Sequence, residues 1–298
     1  EQVTYYGGCL TENQLVVVAE SFMSRYRKSL QKRELLRAQL KLECGDAGPD
    51  EDMSETFANE DKFEEDIRFQ LVEGLSEISA LYHTLFNKAW VTVLRGPMLD
   101  LGHPDRLELD RFNAIYIIVD IIDNQVTGFD GELLTLLLQN ADTTVKSGHP
   151  SELLLQGIAF GLGVCVKRWE RSAFNKDTVA HIAQVLLSIT STLEPGSARE
   201  NAIASCGKVV RYCGSLLENG EQLGHLVSLW VNNLPFQFDL EESKASLEDL
   251  LLTRGTENPV LAPFREKIAQ ACYMSMQDPD NLVPAGKQDV VEALALDA

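Results

Sequence analysis

The chain has 298 residues, 45% of them hydrophobic and 24% charged, which excludes a globally disordered polymer and predicts a sizeable core, in two domains or an elongated repeat array. Twenty-six basic residues stand against forty-five acidic ones, a formal net charge of −19; such a surface repels phosphate backbones, so basic partners are expected and direct nucleic-acid binding is not. The most apolar stretch, 114–122, is broken by Asp120, so no membrane span is expected.

Glu1 is not an initiator methionine and no charged-then-apolar leader follows it, which predicts no signal peptide and a piece of a longer chain. Apolar residues then recur at helical spacing almost throughout, while the alternation of strands is scarce. Thr11 and Gln14 have capping-box spacing ahead of a long basic helix carrying Arg25, Arg27, Lys28, Lys32, Arg33, Arg37 and Lys41. An acidic insert follows at about 43–66, with Asp50, Glu51, Asp52, Glu55, Asp61 and Glu64. Gly45, Gly48 and Pro49 predict that it begins as a solvated loop; its carboxylates read as a solubilising face, a clamp for basic ligands, or a brace against the preceding basic helix. A helix resumes through Ile67, Leu71, Leu75, Ile78, Leu81 and Leu85. This N-terminal region, 1–104, differs from the remainder, 105–298, and both are expected to form one continuous array.

A helix over 105–123 sets Leu107, Ala114, Ile115, Ile118 and Ile122 on an apolar stripe, with Asn113, Tyr116 and Asp120 opposite and Asp123 on the flank. Gly157, Gly161 and Gly163 sit in a short helical run, where they let a neighbouring helix come close. Val179, Ile182, Ala183, Leu186 and Leu193 line the next stripe, and Leu223, Leu226, Val227, Trp230 and Leu234 repeat it. The helix from Ser197 places Asn201, Lys208 and Tyr212 opposite Ile203, Cys206, Val210 and Cys213. The helix after Asp239 carries Glu241, Glu242 and Asp249 beside Leu240, Leu247 and Leu251, and Leu261, Phe264, Ile268, Ala271 and Cys272 form the last clear stripe.

Breaks fall at His149-Pro150, Glu194-Pro195-Gly196, Leu234-Pro235 and between Gly255 and Pro259. Alternate helices start near Asp105, Pro150, Ser197 and Asp239, a spacing of roughly forty residues that fits HEAT or armadillo hairpins. The expected fold class is therefore all-α, an α–α superhelix of HEAT/armadillo type. The second helix of each hairpin lines the concave wall of such a solenoid, which makes Asn113, Tyr116, Asp120, Asp123, Asn201, Lys208, Glu241, Glu242 and Asp249 candidate protein-binding residues of a mostly acidic groove.

No catalytic, cofactor or metal site is expected. The sequence has no G-x-S-x-G, H-E-x-x-H, P-loop or strand-linked G-x-G-x-x-G, and His83, His103, His149, His181 and His225 lie far apart. Six cysteines without a CxxC pair point to reduced thiols, with Cys206 and Cys213 sharing an apolar helix face.

The final hundred residues carry a specific likeness. Arg199-Glu200-Asn201-Ala202-Ile203, continuing to Gly207-Lys208, resembles the "EN-x-I-x-x-x-GK" helix of karyopherin-beta proteins of the importin beta-three type. Leu226 to Pro235, with Trp230, resembles that family's "LP-x-W-L-x-x-LP" helix, Asp239 to Glu242 its acidic helix start, Asn258-Pro259 its "NHP" turn, and Gln288 to Leu296 its closing helix. Upstream, the order of basic helix, acidic insert and Leu-rich helix is also similar. The resemblance implies the C-terminal part of a nuclear import receptor shuttling between cytoplasm and nucleus. Its implied partners are basic cargo proteins, Ran-GTP and phenylalanine-glycine nucleoporins. The competing expectation is another HEAT scaffold, of phosphatase or condensin type, with a constitutive protein partner.

Overall fold

A computed structural model describes residues 10–44, 51–217, 220–254 and 259–295; among these the regular structure is helical and no strand occurs, so the chain is all-α. It divides into two compact units, Glu1–Gly128 and Phe129–Ala298, the first reaching past the 104/105 boundary read from sequence because the helix after that boundary packs within it.

The first unit is built on two long antiparallel helices, α1 (Glu12–Cys44) and α2 (Glu51–Tyr82). At about 1.5 Å per residue each spans close to 50 Å, far longer than the helices of the second unit. The expected capping box closes the start of α1: the Gln14 side chain accepts the Thr11 N–H at 2.8 Å and Thr11 Oγ1 accepts the Gln14 N–H at 3.4 Å. The acidic run is helical from Glu51, well before the Ile67 stripe, because glutamates propagate helices well and carboxylates are favoured near a helix N-terminus. Positions 45–50 lie outside the described residues.

Two of its carboxylates face the basic helix, with Lys32 Nζ 3.1 Å from Glu64 and Arg37 3.5 Å from Asp61. Of the three readings of the insert, the brace describes these two. Burial pushes the Glu64 carboxyl up, but Ser29 and Lys32 outweigh it and hold the group below the usual carboxylate range. Beyond His83, at φ 43, a 3-10 turn (His83–Phe86), one helical turn (Asn87–Ala89) and a π-turn (Trp90–Leu94) lead into α3 (Arg95–Leu101). Phe86, Ala89, Trp90, Leu94 and Met98 from this run are buried.

Helix α4 (Glu108–Asp123) then lies beside α2 and is pinned to α1 by a buried bidentate pair, Arg33 to the Asp110 carboxylate at 2.8 and 2.7 Å. It buries Ile115, Ile117, Ile118, Val119, Ile121 and Ile122, which point in nearly all directions. Leu107, expected on its stripe, is instead exposed, since the helix begins one residue later and leaves it as an extended cap.

The second unit contains α5 (Gly131–Val145), α6 (Glu152–Arg168), α7 (Lys176–Thr192), α8 (Ser197–Cys213), α9 (Gly220–Asn232), α10 (Leu240–Arg254), α11 (Arg265–Gln277) and α12 (Gln288–Ala295). Asp130, Ser151 and Asn175 cap α5, α6 and α7 by accepting backbone N–H groups of the first turn. The stripe Val179, Ile182, Ala183 and Leu186 is wholly buried, as are Leu226, Val227 and Trp230, whereas Leu223 is half-buried.

Helix α8 is the centre of this unit, packed against α6, α7, α9 and α10 and buried from Asn201 through Val210. Two glycines set how closely its neighbours approach. A Cβ on Gly163 of α6 would collide with Ser205, and one on Gly207 would drive into the Trp230 indole. Cys206 and Cys213 are free buried thiols, and burial pushes Cys206 up to about 12, so it packs as a small hydrophobe.

Candidate protein-binding face

In the second unit α8 and α10 run parallel, joined in ascending order by polar pairs. Asn201 Nδ2 donates to Asp239 Oδ2 at 2.9 Å, Lys208 Nζ lies 2.6 Å from Glu242, and Arg211 pairs with Asp249. The Glu200 carboxylate accepts the N–H groups of Gln237, Phe238 and Asp239 at 2.8 to 2.9 Å, and Asp239 in turn caps α10 by accepting the Glu242 N–H at 2.9 Å. Lys208 also sits 5.1 Å from the Phe160 ring of α6.

Asn201, Lys208 and Asp249, read from sequence as a wet face, are thus 5, 3 and 6% exposed. The correction has a plain cause: these residues do oppose their own helix's apolar stripe, but that side meets the next hairpin. The Glu242 side chain is 10% exposed in the same joint, and Glu241 alone of this group is exposed, at 90%. Acidic groups outnumber cations in the joint, but Lys208 and Arg211 pair with Glu242 and Asp249, and backbone N–H groups and Asn201 engage Glu200 and Asp239. Burial pushes the Asp249 carboxyl up, and Arg211, Lys167 and Lys208 pull against that rise. The residues of the 199–209 likeness, Glu200, Asn201, Gly207 and Lys208, all serve helix-to-helix joints.

The first unit has a second parallel pair, α2 and α4, linked in ascending order by Phe69 with Tyr116, Ser76 with Asp120, and Ser79 with Asn124. Here the polar side is only partly closed. Phe69 meets Tyr116 edge-on at 6.3 Å between ring centres, and Phe112 lies 6.2 Å from the same ring. Tyr116, Asp120 and Asp123 are half-buried, and Glu73 and Glu77 of α2 are exposed. Asn113 is the exception on α4: it is buried and donates to the Tyr26 hydroxyl at 3.3 Å, because α1 crosses its side of the helix.

Charge reinforces this arrangement. Burial pushes the Tyr116 phenol up, with the charges of Asp120 and Glu73 adding to the rise; burial also raises the Asp120 carboxyl, which Ser76 opposes and Asp123 supports. Both helices end at this side, neither with a basic residue in its last turn. The carbonyl end of α4 adds negative potential at Asp120 and Asp123 in its last turn; these carboxylates, with Glu73, favour a cation, and the three rings can take a guanidinium or ammonium group.

Sequence reasoning found Tyr116, Asp120 and Asp123 but missed Phe69, Glu73 and Phe112. The signal was available, since Phe112, Tyr116 and Asp120 recur every four residues, as do Phe69 and Glu73. Of the acidic insert, Asp50 lies outside the described residues, Glu51 and Asp52 fall in the first turn of α2 with side chains outside the description, and Glu55 is exposed.

Among the described residues no group of three or more His, Cys, Asp or Glu is arranged to hold a metal ion, and no helix is long and apolar enough to cross a membrane. Set against known proteins, the chain matches no family model and no curated protein.

Proposed function

We propose that the chain is a protein-binding scaffold of HEAT hairpins, the C-terminal part of a karyopherin-beta import receptor, whose α2/α4 face takes up basic segments of cargo. The observation that carries the basic ligand is the cluster of Phe69, Phe112 and Tyr116 beside Glu73 and Asp120, with Asp123 in the last turn of α4. What supports the receptor family is the motif likeness from Arg199 onward, whose key residues build one inter-hairpin joint. Ran-GTP and phenylalanine-glycine nucleoporins are the further partners, and the receptor shuttles between cytoplasm and nucleus.

The test is anisotropy of a labelled Arg/Lys-rich peptide titrated with the chain, with release from a longer receptor by Ran-GTP as the family readout. Affinity is expected to fall severalfold between about 50 and 300 mM salt, since the face is exposed enough to be screened. It is also expected to fall as pH drops through the raised pKa of Asp120, where the carboxylate that attracts the cation becomes neutral. The sign for stability is opposite: ionised Asp120 costs the native state above that pKa, and the cost is relieved as the proton binds. Binding indifferent to salt would remove the basic-segment reading, and a longer receptor that ignores the nucleotide on Ran would remove the family.

A further inference from the structure

In the second unit a cleft of about 350 Å³ opens between the Pro195-Gly196 turn, the segment following α9, and α11. Its apolar wall is unusually open, Phe238 being 60% and Met274 43% exposed. Its charged lining residues are Arg199, Glu200 and Lys267. Glu200 is engaged by three backbone N–H groups, which offset its charge and fix the loop that carries Phe238. Arg199 is half-buried and anchored by its Nε–H to the Thr190 carbonyl at 3.2 Å, while Lys267 stands exposed on α11. In a chain of net charge −19, this cleft therefore inverts the local sign and sets two cations beside a bare aromatic and a flexible thioether.

We propose that the cleft docks an extended peptide segment in which an acidic residue stands next to a large apolar one. The carboxylate complements Arg199 and Lys267, and the apolar neighbour covers Phe238 and Met274. The volume falls at the small end of the ~300–1,000 Å³ range of ligand pockets, which suits a few side chains rather than a folded domain. A free phosphate would answer the cations but leave Phe238 and Met274 wet, so the apolar wall selects a peptide. This proposal is independent of the import-receptor reading and concerns the opposite charge and the other unit.

The probe is a fluorescein-labelled pentapeptide, Glu-Phe-Asp-Leu-Glu, titrated with the whole chain, with Lys-Phe-Lys-Leu-Lys as a charge-reversed comparison and inorganic phosphate as competitor. The acidic peptide is expected to bind, and Lys267→Glu and Phe238→Ala are each expected to weaken it by roughly 3–10-fold. Both side chains are exposed, so the fold should survive either change; thermal melting of each variant verifies it. The proposal is overturned by absence of binding at about 1 mM chain, or by affinity unchanged from the parent chain in either folded variant. It is also overturned by displacement with phosphate as effective as with unlabelled peptide, which would make the cleft an anion site only.

Discussion

In the second unit the parallel pair α8 and α10 closes its polar side with three complementary couples, Asn201 with Asp239, Lys208 with Glu242 and Arg211 with Asp249. In the first unit the corresponding pair α2 and α4 is joined along its length by hydroxyl and ring contacts, Ser76 with Asp120, Ser79 with Asn124 and Phe69 with Tyr116, while the bidentate ion pair of α4 at Asp110 is made to Arg33 of α1. The difference lies in charge across the joint. Where cation meets carboxylate, the helices seal and the polar residues become structural; where carboxylates meet hydroxyls and aromatic edges, negative charge remains for an outside cation to answer.

If the second joint is sealed by charge, breaking one side of it should be the most costly change. Lys208→Met strands a Glu242 carboxylate that is only 10% exposed and is expected to remove about 3–5 kcal/mol of stability in urea unfolding. Adding Glu242→Leu should restore most of that loss, because two apolar side chains of similar size need no partner. A smaller effect sharpens the contrast in backbone approach. Gly207→Ala forces a methyl into the Trp230 indole and should cost about 1–3 kcal/mol, whereas Gly96→Ala in α3 meets nothing and should be neutral or slightly stabilising by the same assay.

The helical class was legible because apolar spacing is a property of each helix by itself, as the buried Val179, Ile182, Ala183 and Leu186 show. So was the capping box at Thr11 and Gln14, which acts within three residues. What a helical wheel does not contain is the identity of the lateral neighbour. Lys208 and Asp249 looked wet because their partners, Glu242 and Arg211, lie more than thirty residues away in sequence, and Asn113 looked wet because α1 returns to cover it from still further. How far the acidic run is helical was not legible, because composition reports solvation, and a charged helix at the edge of a unit is as solvated as a loop. The candidate face was half legible: Tyr116, Asp120 and Asp123 share one helix, but Phe69 and Glu73 join them only once α2 lies parallel to α4.

The claim that an open acidic face binds and a sealed joint does not is tested most directly by one titration of a labelled Arg/Lys-rich peptide against three forms of the chain. The unmodified chain and Glu241→Gln, which removes the most exposed carboxylate beside the sealed joint, should bind alike. The double variant Glu73→Gln/Asp120→Asn should bind about ten-fold more weakly, close to 1.4 kcal/mol. Equal binding by the double variant, with the loss appearing in Glu241→Gln instead, would contradict the account.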